Sequence, residues 1–339
     1  MNSKNTNQRP LRIASVGLGW WGKELAAAIS ASGEEAKLVR CFSPDNDEMD
    51  QFQKVFGAAP APSYRSIIED PDIDAVVLAT PHSLHAEQAI QAANSGKHVF
   101  VEKPFTLTLE SAAAAIAASE AAGRVLAIGH NRRLSPAATV LKKMVRDGEF
   151  GELLHVEANF SINSAMNYLP GFWRAQRQEA AGGSLASLGL HMIDIMCWLF
   201  GPMKRIACLG RRVCVPVDID DVTVGLIEFE SGLTATLSTF FASPLISQFR
   251  VSGTACVADV QDDFSRMHLT KADGTRTTET FEAIDTVAAE ITRFIKACQT
   301  GAALPITPIE AANNVAVLEA FVASASASGR WTTVKHYLG

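Results

Sequence analysis

The amino-acid sequence predicts an α/β domain built on a parallel sheet, followed by an α+β domain built on a mainly antiparallel sheet. Up to about Gly129, short apolar runs alternate with helical patterns. After Gly151, strand-like runs follow one another with only turn signals between them. Alternating strands and helices are typical of a parallel sheet with right-handed crossovers, whereas successive strands joined by short turns are typical of an antiparallel sheet.

The strands of the first domain are short, rich in Val, Ile, Leu and Ala, and show little polar alternation. This pattern is expected for strands that are covered on both faces. The predicted strands are Leu11–Gly17, Ala36–Phe42, Ala75–Ala79, His98–Glu102 and Val125–Gly129. The helical patterns are Lys23–Ala31, Asp47–Phe56, Leu84–Ser95, Leu109–Ala122 and Pro136–Asp147, the last of which carries proline in its first turn.

The second domain is predicted to contain consecutive strands followed by helices. Glu230-Ser231-Gly232 has the composition of a tight hairpin connection. The predicted strands are Leu153–Ile162, Asp221–Phe229, Leu233–Ala242, Gln248–Ser252 and Ala255–Val260. Helices are predicted near Leu185–Phe200, with Ser184 as N-cap, and near Ile284–Gln299 and Ile309–Ser328.

Length and composition set the limits of the interpretation. A chain of 339 residues is long enough for two domains, which we place at residues 11–130 and 131–339. Residues 1–10 are polar, lack the apolar core of a secretory signal, and are expected to form a disordered tail. A net charge of −6 gives no reason to expect a nucleic-acid partner, and no apolar run has the length of a membrane span.

The cysteines and histidines show no metal-binding spacing. No C-x-x-C pair is present, so we expect reduced thiols in a cytoplasmic protein, without disulfides. The histidines include no H-E-x-x-H or similar arrangement, and we expect no metal site. The cysteines are Cys41, Cys197, Cys208, Cys214, Cys256 and Cys298.

A glycine-rich turn follows the first predicted strand and reads Gly17-Leu18-Gly19-Trp20-Trp21-Gly22. Glycine at 17 permits a tight turn out of the strand, glycine at 19 allows the main chain to approach a pyrophosphate, and glycine at 22 allows the helix to pack closely on the strand. The helix amino terminus offers N–H groups and a favourable dipole to phosphates. The turn therefore predicts dinucleotide binding, with Trp20 and Trp21 contributing main-chain contacts.

The residues about 20 positions beyond this turn bear on the choice between NAD and NADP. An acidic residue at the end of the second strand usually binds the ribose hydroxyls. Here Ser43 occupies that position and Asp45 lies just beyond it. A hydroxyl in place of a carboxylate removes a charge that would repel a 2′-phosphate, but no arginine follows to attract one. NAD and NADP both stay open, with a slight lean to NADP.

A lysine lies at the end of the fourth predicted strand. Val99-Phe100-Val101 leads into Glu102-Lys103-Pro104, and the preceding strand leads into Thr80-Pro81-His82-Ser83-Leu84-His85. The carboxyl edge of an open α/β sheet is where ligands bind. There Lys103 would place a compact positive charge beside an oxygen that becomes negative during hydride transfer. The alternative is a surface lysine at the end of a strand.

Ser187, His191 and Asp194 fall on one stripe of the helix predicted near Leu185–Phe200. Most other positions of this helix are apolar, so its polar stripe is expected to be paired or functional. One interpretation is a core histidine satisfied by Asp194. A catalytic role is compatible with it, because a carboxylate partner fixes the tautomer of the imidazole.

These features resemble the glucose–fructose oxidoreductase / inositol dehydrogenase / MocA family, from Leu11 to about Val334. The resemblance implies a Rossmann-type dinucleotide-binding domain followed by a domain with a large, open, mainly antiparallel sheet. It rests on Gly17-x-Gly19-x-x-Gly22, Thr80-Pro81-x-x-x-His85, Gly96-Lys97-His98-Val99, Glu102-Lys103-Pro104, Gly129-His130-Asn131-Arg132-Arg133, Gly148-x-x-Gly151, Trp173-Arg174, Gly182-Gly183 and Gly189-x-His191-x-x-Asp194.

The resemblance also implies roles for individual residues. Lys103 would contact both the nicotinamide ribose and the reacting substrate oxygen, and His191, supported by Asp194, would transfer the proton. The expected cofactor contacts are Gly17, Gly19, Trp20, Trp21, Gly22, Ser43, Thr80, Pro81, His85, Glu102 and Lys103. The expected substrate-pocket residues are Arg132, Asn163, Tyr168, Arg174 and Ser187.

The expected activity is NAD(P)-dependent oxidation of a secondary hydroxyl of a sugar, cyclitol or related polyol. Many family members carry aspartate one turn before the histidine, where this chain has Ser187. If Asp194 does not take over its role, His191 would be a weaker base. Two alternatives are a dinucleotide- and sugar-binding sensor without turnover, and a redox-neutral lyase or epimerase. A sheet with one uncovered face also favours a homo-oligomer, as a dimer or tetramer.

Overall fold

The computed structural model describes residues 9–339, and the chain divides into two compact units. Of the described residues, the first comprises those up to Phe105, Ala113–Gly129 and Val287–Pro308, and the second comprises Thr106–Ala112, His130–Thr286 and Ile309–Gly339. Compared with the predicted boundary after residue 130, the first unit gains Val287–Pro308 and loses Thr106–Ala112.

The expected disordered tail lies mostly outside the described residues. Within the described part, Arg9 is ordered by Asp74, whose carboxylate oxygens accept hydrogen bonds of 2.7 and 2.8 Å from its guanidinium.

The first unit contains a six-stranded parallel sheet in the order β3-β2-β1-β4-β5-β6. Its strands are β1 (Leu11–Val16), β2 (Ala36–Phe42), β3 (Ala59–Pro60), β4 (Ala75–Leu78), β5 (His98–Glu102) and β6 (Leu126–Gly129). The expected parallel sheet is confirmed, and both β4 in its interior and β6 at its edge are apolar and buried at every position. Strand β3 was missed because two residues carry no periodic signal.

The second unit contains a nine-stranded sheet in the order β14-β13-β12-β11-β7-β10-β9-β8-β15. Only β7 and β10 pair in parallel, so the expected mainly antiparallel sheet is confirmed. The strands are β7 (Leu153–Asn163), β8 (Met203–Arg211), β9 (Val222–Phe229), β10 (Thr234–Phe240), β11 (Ala242–Gly253), β12 (Cys256–Gln261), β13 (Arg266–Lys271), β14 (Arg276–Thr280) and β15 (Thr332–Thr333).

Some of the helices begin and end at recognisable sequence signals. Helix α2 (Asn46–Phe56) is capped by Asp45, whose side chain accepts from the N–H groups of Asp47 and Glu48, and its C-cap is Gly57 with φ 74°. The α-helices are α1 (Trp20–Ala31), α2 (Asn46–Phe56), α3 (Tyr64–Glu69), α4 (His85–Asn94), α5 (Leu109–Ala121), α6 (Pro136–Arg146), α7 (Leu190–Phe200), α8 (Thr286–Thr300) and α9 (Pro308–Ser326). No helix among residues 9–339 has both the length and the apolar character needed to cross a membrane.

The helix predicted over Leu185–Phe200 differs from expectation in its first turn. Leu185–Gly189 forms a π-helical turn that precedes α7. Ser184 does not cap it, because its hydroxyl lies 3.0 Å from the carbonyl oxygen of Thr239 and 2.7 Å from the Thr239 hydroxyl. A π turn holds more residues than an α turn. Ser187 and His191 therefore do not have the relative orientation that residues i and i+4 have in an ordinary α-helix.

The cysteines are all free thiols, as expected, but their burial is not uniform. Cys41, Cys208 and Cys256 are buried, whereas Cys214 is exposed. Burial raises the pKa of the Cys41 thiol to about 11 and that of Cys208 to about 12. The buried thiols are therefore packing groups, since an inert thiol is a small apolar side chain.

Candidate active site

The glycine turn has the backbone geometry that the sequence predicts. Gly17 has φ 86°, and a Cβ placed there would lie 2.5 Å from the carbonyl oxygen of Ala79. A Cβ at Gly22 would lie 2.0 Å from the carbonyl oxygen of Gly17. Both contacts are with main-chain atoms that cannot move aside, so these two positions require glycine for close packing of β1, β4 and α1.

Gly19 differs from Gly17 and Gly22 because the space where its side chain would be is open. No heavy atom lies within 4 Å of a Cβ built on it. It is the N-cap of α1 and gives the helix no side-chain cap. The first turn of α1 thus presents main-chain donors beside an open approach, which is the arrangement that a pyrophosphate needs. These residues fit a dinucleotide, and Trp20, the residue after Gly19, is 69% exposed.

A carboxylate lies at the end of β2, although it does not come from the strand. The carbonyl oxygen of Phe42 accepts a hydrogen bond of 3.0 Å from the N–H of Gly17. Ser43, the next residue after Phe42, therefore lies close to the glycine turn in the chain that leaves β2. Ser43 is buried, and its hydroxyl lies 2.5 Å from Oε2 of Glu48 in the first turn of α2. Arg40 is directed elsewhere, with its Nε 3.8 Å from Asp70. Sequence reasoning placed Ser43 here but missed Glu48, five residues further on.

Lys103 and Thr80 follow neighbouring strands at the carboxyl edge of the parallel sheet. Strands β4 and β5 pair in parallel up to Leu78 and Val101. Lys103 is buried at 8% exposure, and its main-chain N–H lies 3.1 Å from Oε2 of Glu102. A lysine this deeply buried is not the solvated surface residue of the alternative interpretation. Gly129 makes room for Glu102, since a Cβ there would lie 2.8 Å from Oε1.

His85 lies beneath these two segments. Its ring is fully buried, with Nδ1 2.8 Å from the carbonyl oxygen of Pro104 and Nε2 3.0 Å from that of Thr80. We expected His85 among the cofactor contacts. Both ring nitrogens instead face main-chain carbonyls, so the side chain supports the residues that line the edge.

In the second unit, Asp194 does not take the position that the sequence suggested. Its Oδ2 accepts a 2.7 Å hydrogen bond from Nε of Arg133, and its Oδ1 accepts one of 2.6 Å from Asn314. Arg133 also donates to Glu310 at 2.7 Å. Burial alone would lower the pKa of Arg133, but Asp194 and Glu310 outweigh it and raise the pKa above the ordinary value. Asp194 therefore anchors a buried guanidinium, a contact that the motif around Arg133 did not reveal.

Phe160 connects two of the predicted site residues. His191 is 6% exposed, and its ring meets that of Phe160 edge-on with centroids 6.0 Å apart. The guanidinium of Arg132 lies over the same phenyl ring, 4.3 Å from its centroid, and forms an ion pair with Asp263. The structure thus brings Arg132 and His191 to one aromatic side chain of β7, which sequence reasoning did not single out.

The remaining predicted substrate residues lie on the segment that leaves β7 and on the π turn. Asn163 is the exposed last residue of β7. Tyr168 is half-buried, with its ring centroid 5.0 Å from that of Phe172. Arg174 lies over the ring of Trp173 at 4.3 Å, and Ser187 is half-buried within Leu185–Gly189. Their substrate contacts stay predictions.

Comparison with known proteins agrees with this architecture. Residues 11–130 match the model of the oxidoreductase family with an NAD-binding Rossmann fold, and residues 139–258 match the GFO/IDH/MocA C-terminal domain. Levoglucosan dehydrogenase of Pseudarthrobacter phenanthrenivorans is 29% identical over 67% of this chain and 66% of its own length. The NAD(+)-dependent scyllo-inositol 2-dehydrogenase of Bacillus subtilis is 31% identical over 70% of this chain and 69% of its own.

Among solved structures, a protein of Desulfitobacterium hafniense named as an NADPH-dependent oxidoreductase superposes with a TM-score of 0.88. It shares 29% identity over 96% of this chain and 98% of that chain. Both domain models and the two curated relatives agree with the resemblance that the motifs implied. The chain belongs to the Gfo/Idh/MocA family of NAD-binding oxidoreductases.

Proposed function

We propose that this oxidoreductase oxidises a secondary hydroxyl of a sugar, cyclitol or related cyclic polyol by hydride transfer to a nicotinamide dinucleotide. The observation that carries the proposal is buried Lys103 at the carboxyl end of β5, beside the segment that follows β4. The named activities of the relatives, on levoglucosan and scyllo-inositol, support the substrate class.

The dinucleotide, when bound, supplies the hydride acceptor, and the protein supplies position and charge. The glycine turn and α1 hold its phosphates. Lys103 holds the substrate oxygen and stabilises the negative charge that grows on it, because a charge placed in advance in a buried site is effective. His191 receives the hydroxyl proton, directly or through water.

We propose a positioning role for Asp194 in place of the direct partnership with His191. Asp194 lies one turn after His191 on α7 and is bonded to Arg133 and Asn314. These two bonds attach α7 to residues of other elements, so they restrict the orientation in which the helix presents His191. Arg132, Asn163, Tyr168, Arg174 and Ser187 are proposed to contact the substrate.

We propose that the preferred nucleotide is NAD. The slight lean to NADP rested on Ser43 placing a hydroxyl, and no carboxylate, at this position. That hydroxyl is hydrogen-bonded to the carboxylate of Glu48. A carboxylate at this position accepts hydrogen bonds from ribose hydroxyls and repels a 2′-phosphate. The names of the relatives include both NAD(+) and NADPH, so they support neither nucleotide over the other.

We propose a homo-oligomer and a cytoplasmic location. The nine-stranded sheet exposes apolar side chains on neighbouring strands, among them Leu209 at 53%, Val224 at 46% and Leu226 at 41%. Leu209 and Val224 are directly paired across β8 and β9. An apolar cluster of this kind is typical of a surface that another copy covers. The free cysteines agree with a reducing compartment.

The test is a screen of sugars and cyclitols, including levoglucosan and scyllo-inositol, with NAD and NADP. The proposal expects the absorbance of reduced nicotinamide to rise with at least one substrate, and K103A and H191A to lose turnover while still binding nucleotide. Nucleotide binding without reduction by any compound would favour the sensor. Tightly retained cofactor with conversion of a sugar but no net reduction would favour the lyase or epimerase.

A further inference from the structure

His85 connects the main chains that follow two neighbouring strands. It is the first residue of α4 and is completely buried. Its Nε2 lies 3.0 Å from the carbonyl oxygen of Thr80, and its Nδ1 lies 2.8 Å from the carbonyl oxygen of Pro104. Because β4 and β5 are adjacent in the sheet, the ring joins the two segments just beyond their carboxyl ends.

An imidazole suits this position for a geometric reason. A carbonyl oxygen only accepts hydrogen bonds, and the imidazole has two ring nitrogens at fixed separation on a rigid ring; the neutral ring donates from one of them and the protonated ring from both. The amide of glutamine has a single nitrogen, so it cannot reach the carbonyls of Thr80 and Pro104 from two separate atoms. The rigid ring of His85 thus places one nitrogen beside each of the two carbonyl oxygens and fixes the distance between them.

The segment on the Thr80 side is packed against the glycine turn. A Cβ at Gly17 would lie 2.5 Å from the carbonyl oxygen of Ala79 and 2.8 Å from the nitrogen of Thr80. The hydroxyl of Thr80 is itself held by Gln88 of α4, 2.7 Å away. This end of the connection is therefore fixed to the part of the sheet that faces the dinucleotide.

The segment on the other side carries Lys103. The carbonyl that His85 contacts belongs to Pro104, the residue directly after Lys103. On the other side of Lys103, the main-chain N–H is held by Glu102 at 3.1 Å. Lys103 is thus fixed by its own N–H and by the carbonyl of the following residue, and His85 supplies the second of these contacts.

We propose that His85 is a positioning residue that sets where Lys103 stands relative to the bound nucleotide. The inference rests on the proposed function, in which Lys103 acts beside the nicotinamide. Displacement of a reacting group by about 1 Å costs on the order of a hundredfold in rate, so a rigid connection at this point has a direct catalytic consequence.

The test compares H85Q with H98Q and needs no substrate. His98 stands at the opposite end of β5, and its Nδ1 accepts a 2.9 Å hydrogen bond from the N–H of Val125. H98Q therefore makes the same substitution at a half-buried histidine that is also bonded to the main chain of this sheet. Two quantities are measured: the Kd for NADH by fluorescence titration, and the rate at which acetic anhydride acetylates Lys103, by mass spectrometry with and without NADH.

In the wild type and in H98Q, we expect NADH to slow acetylation of Lys103 by about tenfold or more, because a bound cofactor covers the groups that line its site. In H85Q, we expect the Kd to stay within about threefold and the protection to fall below about threefold, because the ammonium no longer lies against the nucleotide. Protection in H85Q equal to that in the wild type would overturn the positioning role.

The two proposals fail in different ways. Absence of protection in all three proteins, although NADH binds, overturns the proposed function and this inference with it. Protection in all three overturns this inference alone. If H85Q does not fold, a wild-type crystal structure with NADH decides instead: retention of both ring contacts with Lys103 against the nucleotide supports the role, and loss of either contact overturns it.

Discussion

Arg133 and Asp194 form a buried ion pair, with Nε of the guanidinium 2.7 Å from Oδ2 of the carboxylate and both side chains almost inaccessible to solvent. Asn314 donates to the other carboxylate oxygen at 2.6 Å. A buried charge is tolerated only when it is paired and hydrogen-bonded, so each member of this group depends on the others. Since α7 carries both Asp194 and His191, the pair links the stability of the second unit to the orientation of a candidate catalytic side chain.

Replacing Asp194 by asparagine should therefore destabilise the protein strongly. D194N keeps the shape of the side chain but leaves the guanidinium of Arg133 without its fully buried counter-ion, which costs on the order of 3 kcal/mol of unfolding free energy. Chemical denaturation followed by circular dichroism measures this change. E69Q, which removes the exposed pair with Arg65, serves as the control and should cause no measurable change. A D194N protein as stable as E69Q would contradict the account.

The glycine turn allows nucleotide binding to be separated from folding. G19A places a methyl group where no heavy atom lies within 4 Å, so the protein should keep its thermal stability. The same methyl group occupies the approach of the pyrophosphate, and the affinity for NADH should fall by about tenfold or more. G22A meets the carbonyl oxygen of Gly17 at 2.0 Å and should lose stability as well as binding. Thermal melts and fluorescence titration distinguish the two variants, and unchanged NADH affinity in G19A would exclude the proposed approach.

Asp221 gives a prediction about pH. Its carboxylate is fully buried and accepts hydrogen bonds from the main-chain N–H groups of Val213, Cys214 and Val215 at 2.6, 2.7 and 3.0 Å. Burial acts to raise the pKa of this carboxyl, but the N–H donors outweigh it and hold the pKa below the ordinary value. A depressed folded-state pKa means that the ionised group stabilises the fold above its unfolded pKa and loses this effect as the pH falls through the folded value.

D221N should thus be less stable than the wild type at pH 7, by about 2 kcal/mol, because the amide accepts fewer of the three bonds. The difference should shrink as the pH falls below about 4, the unfolded-state pKa of aspartate. Urea denaturation at a series of pH values measures both proteins. A stability difference that stays constant down to the acid transition would rule out the ionised carboxylate as its source.

Much of the fold could be predicted because its signals are local. Strands β4 and β6 are apolar at every position, and α2, between β2 and β3, has a recognisable N-cap at Asp45. Strand β14 was missed because all of its residues are exposed and polar, and β3 because it has only two residues. The π turn at Leu185–Gly189 was missed because an apolar segment shows no sign that one turn has been widened.

The site was predictable where its residues follow one another in the chain, as in the glycine turn and Glu102-Lys103-Pro104. It was not predictable where a side chain finds its partner through folding. Arg133 and Asp194 are 61 residues apart, and His85 and Pro104 are 19 apart. Each of these four residues belongs to a motif that resembles the family. A motif does not, however, predict which side chains form contacts with one another in the folded chain. The expected pairing of Asp194 with His191 was the shortest possibility along one helix, and tertiary contacts replaced it.

The nucleotide preference depends on the same kind of contact, between Ser43 and Glu48. Two unit charges about 5 Å apart interact by roughly 3 kcal/mol at an effective dielectric constant of about 20, and partial exposure of Glu48 to solvent reduces this. We therefore expect NADH to bind about tenfold or more tightly than NADPH, and E48Q to lose most of that ratio. S43A should lose part of it, because the carboxylate is then no longer held at the strand end.

The control for this prediction is D47N, one residue away on the first turn of α2. It removes the same unit of charge from an exposed side chain, without touching Ser43. Fluorescence titrations with NADH and NADPH on the four proteins give the ratios. If D47N changed the ratio as much as E48Q, the preference would come from the overall negative charge of α2 and not from a carboxylate at the ribose. Tighter binding of NADPH to the wild type would mean that Glu48 does not face the ribose. The slight preference for NADP that Ser43 alone implies would then stand.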